Sequence, residues 1–247
     1  LNSVNGVAIW GEQGCFLKKI AESYFTIFEE KVAYNHLTER QEENYNVILR
    51  ETLKNPEKWV AWANWYGLYR YKENYRKFIK SFFSPFCGAK HWGFKEIRYG
   101  TNDRVLEFLK DIYPKATFIF IIRDSTTVIP SQMVVLCEKS MDREHILKDR
   151  IRHWNNQNNF YFEFHQNNKK MSFIVRYEDL ISNQITELEK LFAFLNFKIS
   201  EKPKKVIVSK KGRGATLKKS KQNVLSEKEV QLVLEQTRKV RKIFGYC

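Results

Sequence analysis

Thr117-Phe-Ile-Phe-Ile-Ile-Arg-Asp-Ser-Thr-Thr-Val-Ile-Pro-Ser131 is the stretch whose reading decides the fold of this chain. Its first six residues, Thr117 to Ile122, are apolar or β-branched and uncharged, which predicts a strand buried on both faces. The strand runs into Arg123 and Asp124, and then into a Ser/Thr cluster of the kind that starts a helix. In an open parallel sheet, ligands collect outside the carboxyl ends of the strands. Arg123 stands at such an end and Ser131 follows eight residues later, so a guanidinium fork and a hydroxyl are placed where a phosphate group could be held.

Other strand–helix alternations extend outward from this stretch. Upstream, Gly6 to Trp10 reads as a first strand, Gly11-Glu-Gln-Gly14 as a turn, and Cys15 to Glu30 as a helix with Phe16, Ile20, Tyr24, Ile27 and Phe28 on one face. Strand, Gly-x-x-Gly turn and helix is the layout of an anion-cradling loop, and a plain tight turn has the same pattern. The Gly-Lys-Ser/Thr ending of a Walker A motif is absent. Lys31 to Tyr34 is expected as a second strand, Glu39 to Lys54 as a polar helix, and Trp92 to Arg98 as a third strand. Between them, Trp59, Trp62, Tyr66, Tyr69, Tyr75, Phe78 and Phe82 recur at helical spacing, as a core stripe or, alternatively, one wall of an acceptor pocket. Leu106 to Ile112 is a helix closed by Tyr113-Pro114. Downstream, Pro130 demands a late start or a kink in a helix over Val128 to Lys139. Arg143 to Gln166 is a long helix, Ser172 to Tyr177 a strand, and Thr186 to Leu195 a helix. Ser226 with Glu229 makes a capping box for a last helix reaching Phe244. The expected architecture is one α/β domain over residues 1–247.

Composition narrows the partners. The 247 residues carry 43 Lys and Arg against 28 Asp and Glu, a formal charge of +15, which favours anionic partners. With 43% hydrophobic and 15% aromatic residues, the chain has the material for a core and is not disordered in bulk. Cys15, Cys87, Cys137 and Cys247 have no metal-ligand spacing, and no metal is expected. No stretch is long and apolar enough to span a membrane, and no signal peptide or Asn-x-Ser/Thr acceptor occurs, so a cytoplasmic location is expected. The start at Leu1 rather than Met leaves room for an upstream segment. From Lys202 to Lys221 the chain is dense in Lys and Arg with no acidic residue, which suits a basic loop or lid.

These motifs, in this order, resemble the sulfotransferases that use 3′-phosphoadenosine 5′-phosphosulfate (PAPS). Phe118 to Ser131 resembles that family's strand, Arg-Asp and following serine. Val175-Arg-Tyr-Glu-Asp-Leu180 resembles its Arg-Tyr-Glu-Asp-Leu strand end, with Phe194-Leu195 closing the next helix. Trp92 to Arg98 resembles its Gly-x-Lys strand, especially that of bacterial-type members. The likeness covers most of residues 88–197 and the first strand and loop, and implies a P-loop-like α/β sandwich, layers of helices around a parallel sheet of about five strands, consistent with the number of strands read above. Two departures stand out. The family's 5′-phosphosulfate loop usually reads Lys/Arg-Ser-Gly-Thr-Thr, whereas this chain reads Glu12-Gln13-Gly14-Cys15-Phe16, without the cation or the hydroxyls; Lys18 or Lys19 would have to substitute. Lys210-Lys-Gly-Arg-Gly214 only loosely resembles the late Arg-Lys-Gly-x-x-Gly loop.

The resemblance implies sulfuryl transfer from PAPS, leaving the bisphosphate PAP, to a hydroxyl or amine of an acceptor, with a small molecule favoured and no nucleic acid expected. Such a transfer rests on positioning, charge stabilisation and a base for the acceptor proton. Arg123 and Ser131 are expected on the 3′-phosphate, the Gly11, Gln13, Gly14, Cys15 and Phe16 loop on the 5′ side, Tyr177 at the adenine, and Lys211, Gly212 and Arg213 as a further phosphate contact. Lys95 is expected to stabilise the leaving phosphate. Glu96 is the first choice of base and His36 the second, with His91 and Glu12 also near strand ends; a glutamate in that role needs a raised pKa. Two other classes remain at this point: a kinase-like nucleotide-binding protein, and a non-catalytic basic module for acidic glycan or nucleic acid.

Overall fold

A computed structural model of the chain describes residues 1–2, 4–29, 35–37, 50, 54, 65–84, 88–100, 104–137, 142–198 and 225–246. These residues divide into two compact units, Gly6–Ala116 and Leu1–Asn5 with Thr117–Cys247. Each is described separately.

In the first unit, strand β1 (Val7–Trp10) leads through a turn into helix α1 (Leu17–Glu29). Leu17, Ala21 and Tyr24, at helical spacing, are its fully buried residues. Strands β2 (Asn35–Leu37) and β3 (Trp65–Gly67) pair in parallel, and β3 passes directly into helix α2 (Leu68–Phe83). The sequence pattern had run that helix back through the whole aromatic stretch; β3 interrupts it, as fits β-propensity at Trp65 and Tyr66. Strand β4 (His91–Phe94) pairs in parallel with β1, in a register that sets Trp10 opposite Phe94. It stops short of the expected Trp92–Arg98 strand, because the ladder ends with Lys95 N–H donating to the Trp10 carbonyl at 2.9 Å. Helix α3 (Val105–Ile112) buries Val105, Leu106, Phe108, Leu109 and Ile112. Its Asp111 carboxylate accepts from the Tyr24 hydroxyl and, at 2.6 Å, from Lys72 Nζ of α2, which ties three helices together.

The second unit is built on strands β5 (Phe118–Ile122) and β6 (Ser172–Arg176), parallel and in a register that sets Ile122 opposite Arg176. The expectation of burial on both faces of β5 is corrected. Phe118, Phe120 and Ile122 are buried, whereas Ile121 on the other face is 56% exposed. Helix α4 (Ser125–Cys137) starts three residues earlier than expected and contains Pro130. Asp124 makes the early start possible: its side chain accepts from Thr126 N–H at 2.9 Å and its carbonyl from Val128 N–H at 3.0 Å. Helix α5 (Arg143–Asn167) lays Leu147, Ile151, Trp154 and Asn158 in one buried row. The short helix α6 (Tyr177–Ser182) and helix α7 (Gln184–Phe194) follow β6. Helix α8 (Glu227–Ile243) begins at the expected capping box, with Ser226 and Glu229 satisfying each other's backbone N–H groups.

The fold class is α/β. Among the described residues the strands form three parallel pairs, β1–β4, β2–β3 and β5–β6, rather than the continuous sheet of about five strands expected from the sequence. No helix among them is long and apolar enough to cross a membrane.

Candidate functional site

Two strand ends gather the residues singled out in the sequence. In the first unit, the loop after β1 turns through Gly14 (φ 72°) and Cys15 (φ 65°). Glycine reaches that left-handed region without steric penalty, while the cysteine beside it is held there at a cost of about 1 kcal/mol. The turn presents the N–H groups of Gln13 and Cys15 to a single carboxylate, that of Glu96, at 3.2 and 3.3 Å. The other Glu96 oxygen accepts from Ile97 N–H at 2.9 Å and from Arg98 Nε at 2.7 Å. The Glu96 side chain is 1% exposed. Burial works against its charged form, yet the donors from Arg98 and from the backbone of Gln13, Ile97 and Cys15 outweigh it and hold the carboxyl below its ordinary value.

A base needs a pKa near the working pH and a lone pair facing the acceptor. Glu96 has a depressed pKa and five donors on its two oxygens, Arg98 Nη2 at 3.2 Å being the fifth, and it braces the loop. The other charges here are also engaged. Lys95 Nζ pairs with Glu12 at 2.8 Å, and Arg98 lies 3.6 Å from the second Glu12 oxygen. Two acids and two bases thus neutralise one another. Lys19, a possible substitute for the missing loop cation, pairs with Glu22 on the exposed face of α1. The Gln13 side-chain oxygen is buried with no hydrogen-bond partner. A cavity of about 380 Å³ adjoins the loop, lined by Trp10, Gly11, Glu12, Gln13, Phe16, Phe82 and Phe83. Phe82 packs on Phe16 with ring centroids 5.5 Å apart, so the aromatic stripe of α2 supplies part of the cavity wall.

In the second unit the strand end of β5 is arranged in the opposite sense. Asp124 turns to Arg241 of α8, whose Nη2 and Nε lie 3.0 and 3.2 Å from its two oxygens. Burial opposes the Asp124 charge, but the Arg241 and Thr126 donors prevail and hold its pKa below the ordinary value. Arg123 is left exposed, with no ion-pair partner among the described residues. Its guanidinium lies 4.9 Å from the centroid of the Tyr177 ring, a cation–π contact that orients the fork without neutralising it. The Arg123 carbonyl is fixed from behind by Trp154 Nε1 at 3.1 Å. Ser131 lies half-buried in the second turn of α4.

The Arg176-Tyr-Glu-Asp stretch braces this end. Arg176 makes a two-pronged ion pair with Asp179, each contact 2.6 Å, and reaches the Gly245 carbonyl at 2.9 Å. Glu178 accepts from Asp124 N–H at 3.1 Å and from the Tyr246 hydroxyl at 2.7 Å. Tyr246 also donates to the Ile122 carbonyl at 3.1 Å. Burial, and then the Glu178 hydrogen bond, push the Tyr246 phenol far up, so it stays a donor. The roles of Arg241, Glu178 and Tyr246 were not legible in sequence, since each works across a long chain separation with no local pattern.

The remaining expected residues are placed as follows. Lys95 stands just past β4, within the four-charge cluster. His36 lies in β2, in register with Tyr66. His91 opens β4. Lys211, Gly212, Arg213 and the whole basic stretch 202–221 lie outside the described residues, as do Lys31 to Tyr34 and Cys87. No group of three or more His, Cys, Asp or Glu side chains that could hold a metal ion occurs among the described residues.

Comparison with known proteins gives one family. A model described as "Sulfotransferase family" matches residues 21–201, well over half of the chain. No curated protein matches. Among solved structures, the sulfotransferase domain from the curacin biosynthetic pathway is similar, at 15% identity and a TM-score of 0.48, over 72% of this chain and 68% of that one.

Proposed function

The chain belongs to the sulfotransferase family, and from that premise we propose that it moves a sulfuryl group from PAPS to a hydroxyl or amine of a small-molecule acceptor. The observation that carries the donor assignment is the Arg123 guanidinium. It is exposed at a parallel strand end, steered by Tyr177, and unpaired by any described carboxylate because Asp124 is held by Arg241. A doubly charged phosphate is the natural ligand for an arginine fork kept open in this way. Ser131 supplies the second contact to the 3′-phosphate, and Tyr177 a face for the adenine.

PAPS when bound would supply the sulfuryl group; the chain orients the acceptor, removes its proton and balances charge on the leaving phosphate. Lys95 serves the leaving phosphate once it parts from Glu12. Because Glu96 is saturated with donors, the base assignment passes to His36, histidine being the residue type that takes up and releases a proton near neutrality without help. The aromatic cavity beside the loop suits an acceptor with an apolar body and one polar reacting group. The loop itself is a poor fit for a second phosphate, since a carboxylate already sits on its amides. That feature favours the second reading, a nucleotide-binding protein that holds its ligand without turnover.

Thermal stabilisation by PAP, compared with ATP and with heparin, tests the donor assignment. A shift with PAP alone supports it, and a shift with ATP alone or with heparin alone overturns it. Transfer of labelled sulfate from PAPS to a panel of phenols, alcohols and amines then separates turnover from binding. His36→Ala should abolish that transfer while leaving the PAP shift intact.

A further inference from the structure

The amides of the Gly11–Cys15 loop are already answered from within the chain. Gln13 N–H and Cys15 N–H both point at Glu96 Oε2, and the side chain that carries it is 1% exposed. Backbone amides converging on one point are what an anionic ligand seeks, and here a carboxylate occupies that point. The occupation is unequal in strength. The two loop contacts are 3.2 and 3.3 Å, long for a charged acceptor, whereas Arg98 Nε approaches the other oxygen to 2.7 Å. The carboxylate is therefore anchored by Arg98 and leans on the loop, and it can leave the loop amides without losing its principal partner.

The surroundings reinforce the exclusion of a second anion. Lys95 and Arg98, the cations at this strand end, are both engaged by Glu12 and Glu96. The buried Gln13 oxygen, lacking a donor, adds an unsatisfied acceptor that a phosphate oxygen would repel. The loop backbone has the shape of an anion cradle while its side chains oppose a further negative charge.

We propose that Glu96 is a specificity-determining residue: its carboxylate is the resident anion of the loop, and a phosphate or sulfate group gains the Gln13 and Cys15 amides only by displacing it. The loop amides accept such an anion only when Glu96 swings away with Arg98. The identity of the nucleotide rests on the sulfate-donor reading above; the competition for the loop does not.

Calorimetric titration of the full chain separates the two. Wild type and Glu96→Gln are titrated with PAP, with adenosine 3′-monophosphate, which lacks the 5′ group, and with inorganic pyrophosphate. The expected result is that Glu96→Gln binds pyrophosphate at least about tenfold tighter than wild type, while adenosine 3′-monophosphate binds both proteins alike. Pyrophosphate binding equally to both proteins overturns the proposal. If neither nucleotide binds but pyrophosphate tightens in the variant, the sulfate-donor reading falls and the role of Glu96 stands. Glu96→Ala is the second variant should the glutamine form fail to fold, and tight pyrophosphate binding at the wild-type loop is decisive against the proposal in either case.

Discussion

The strand ends of β1–β4 and β5–β6 begin from the same plan and reach opposite electrostatic outcomes. Each is a parallel pair whose carboxyl end leads into a turn carrying an acid and an arginine. At the first, Glu96 faces the neighbouring loop, its arginine faces it, and Lys95 is taken by Glu12. At the second, Asp124 is drawn away by Arg241, and Arg123 keeps its charge unspent beneath Tyr177. Whether a strand-end cation can serve a ligand is thus decided by where the nearby carboxylate finds its partner. The cation alone does not decide it.

The sharpest way to break this contrast is Arg123→Ala. It should weaken PAP at least a hundredfold by calorimetry, about 3 kcal/mol for a charge-assisted fork, and leave the melting temperature unchanged because no ion pair is lost. A large fall in stability with little change in affinity would mean that Arg123 is structural. Asp124→Asn should do the reverse first: unfolding stability drops by about 2 kcal/mol, because Arg241 is left in a mostly buried site without its counter-charge. The same contact sets a pH dependence. Arg241 and Thr126 hold the folded pKa of Asp124 below its ordinary value, so its contribution is fully present above about pH 4 and is lost as pH falls towards the folded value. Urea midpoints measured from pH 6 down to pH 3 should fall for the wild type and fall less for Asp124→Asn. Ser131→Ala is the smallest of these effects, about 1 kcal/mol or fivefold in PAP affinity, with no change for pyrophosphate.

Most of the second strand end was legible in the sequence. The uncharged run Thr117–Ile122, the Arg-Asp step and the Ser226–Glu229 capping box each have local causes, and each appears where its pattern put it. Pro130 predicts a late start or a kink, yet α4 begins at Ser125, where the Asp124 side chain accepts from Thr126 N–H. The exposure of Ile121 was missed because an apolar run gives no sign of which face lacks cover. At the first strand end, the sequence marked Glu96, Lys95 and the loop as neighbours. Strand β4 ends at Phe94, short of Glu96. A turn then carries the carboxylate onto amides 83 and 81 positions earlier, a destination no spacing rule contains.

The hydroxyl of Tyr246 reaches the Ile122 carbonyl across a chain separation of 124 residues, and Arg241 reaches Asp124 across 117. Closing loops of that length costs entropy before any contact repays it, so such contacts form late along a folding trajectory. The strand end that keeps Arg123 open is therefore expected to form late in folding, after the helices around it. Stopped-flow kinetics of Tyr246→Phe should show faster unfolding with an almost unchanged folding rate. A comparable slowing of folding would instead place the Arg123 end among the earliest parts of the chain to order.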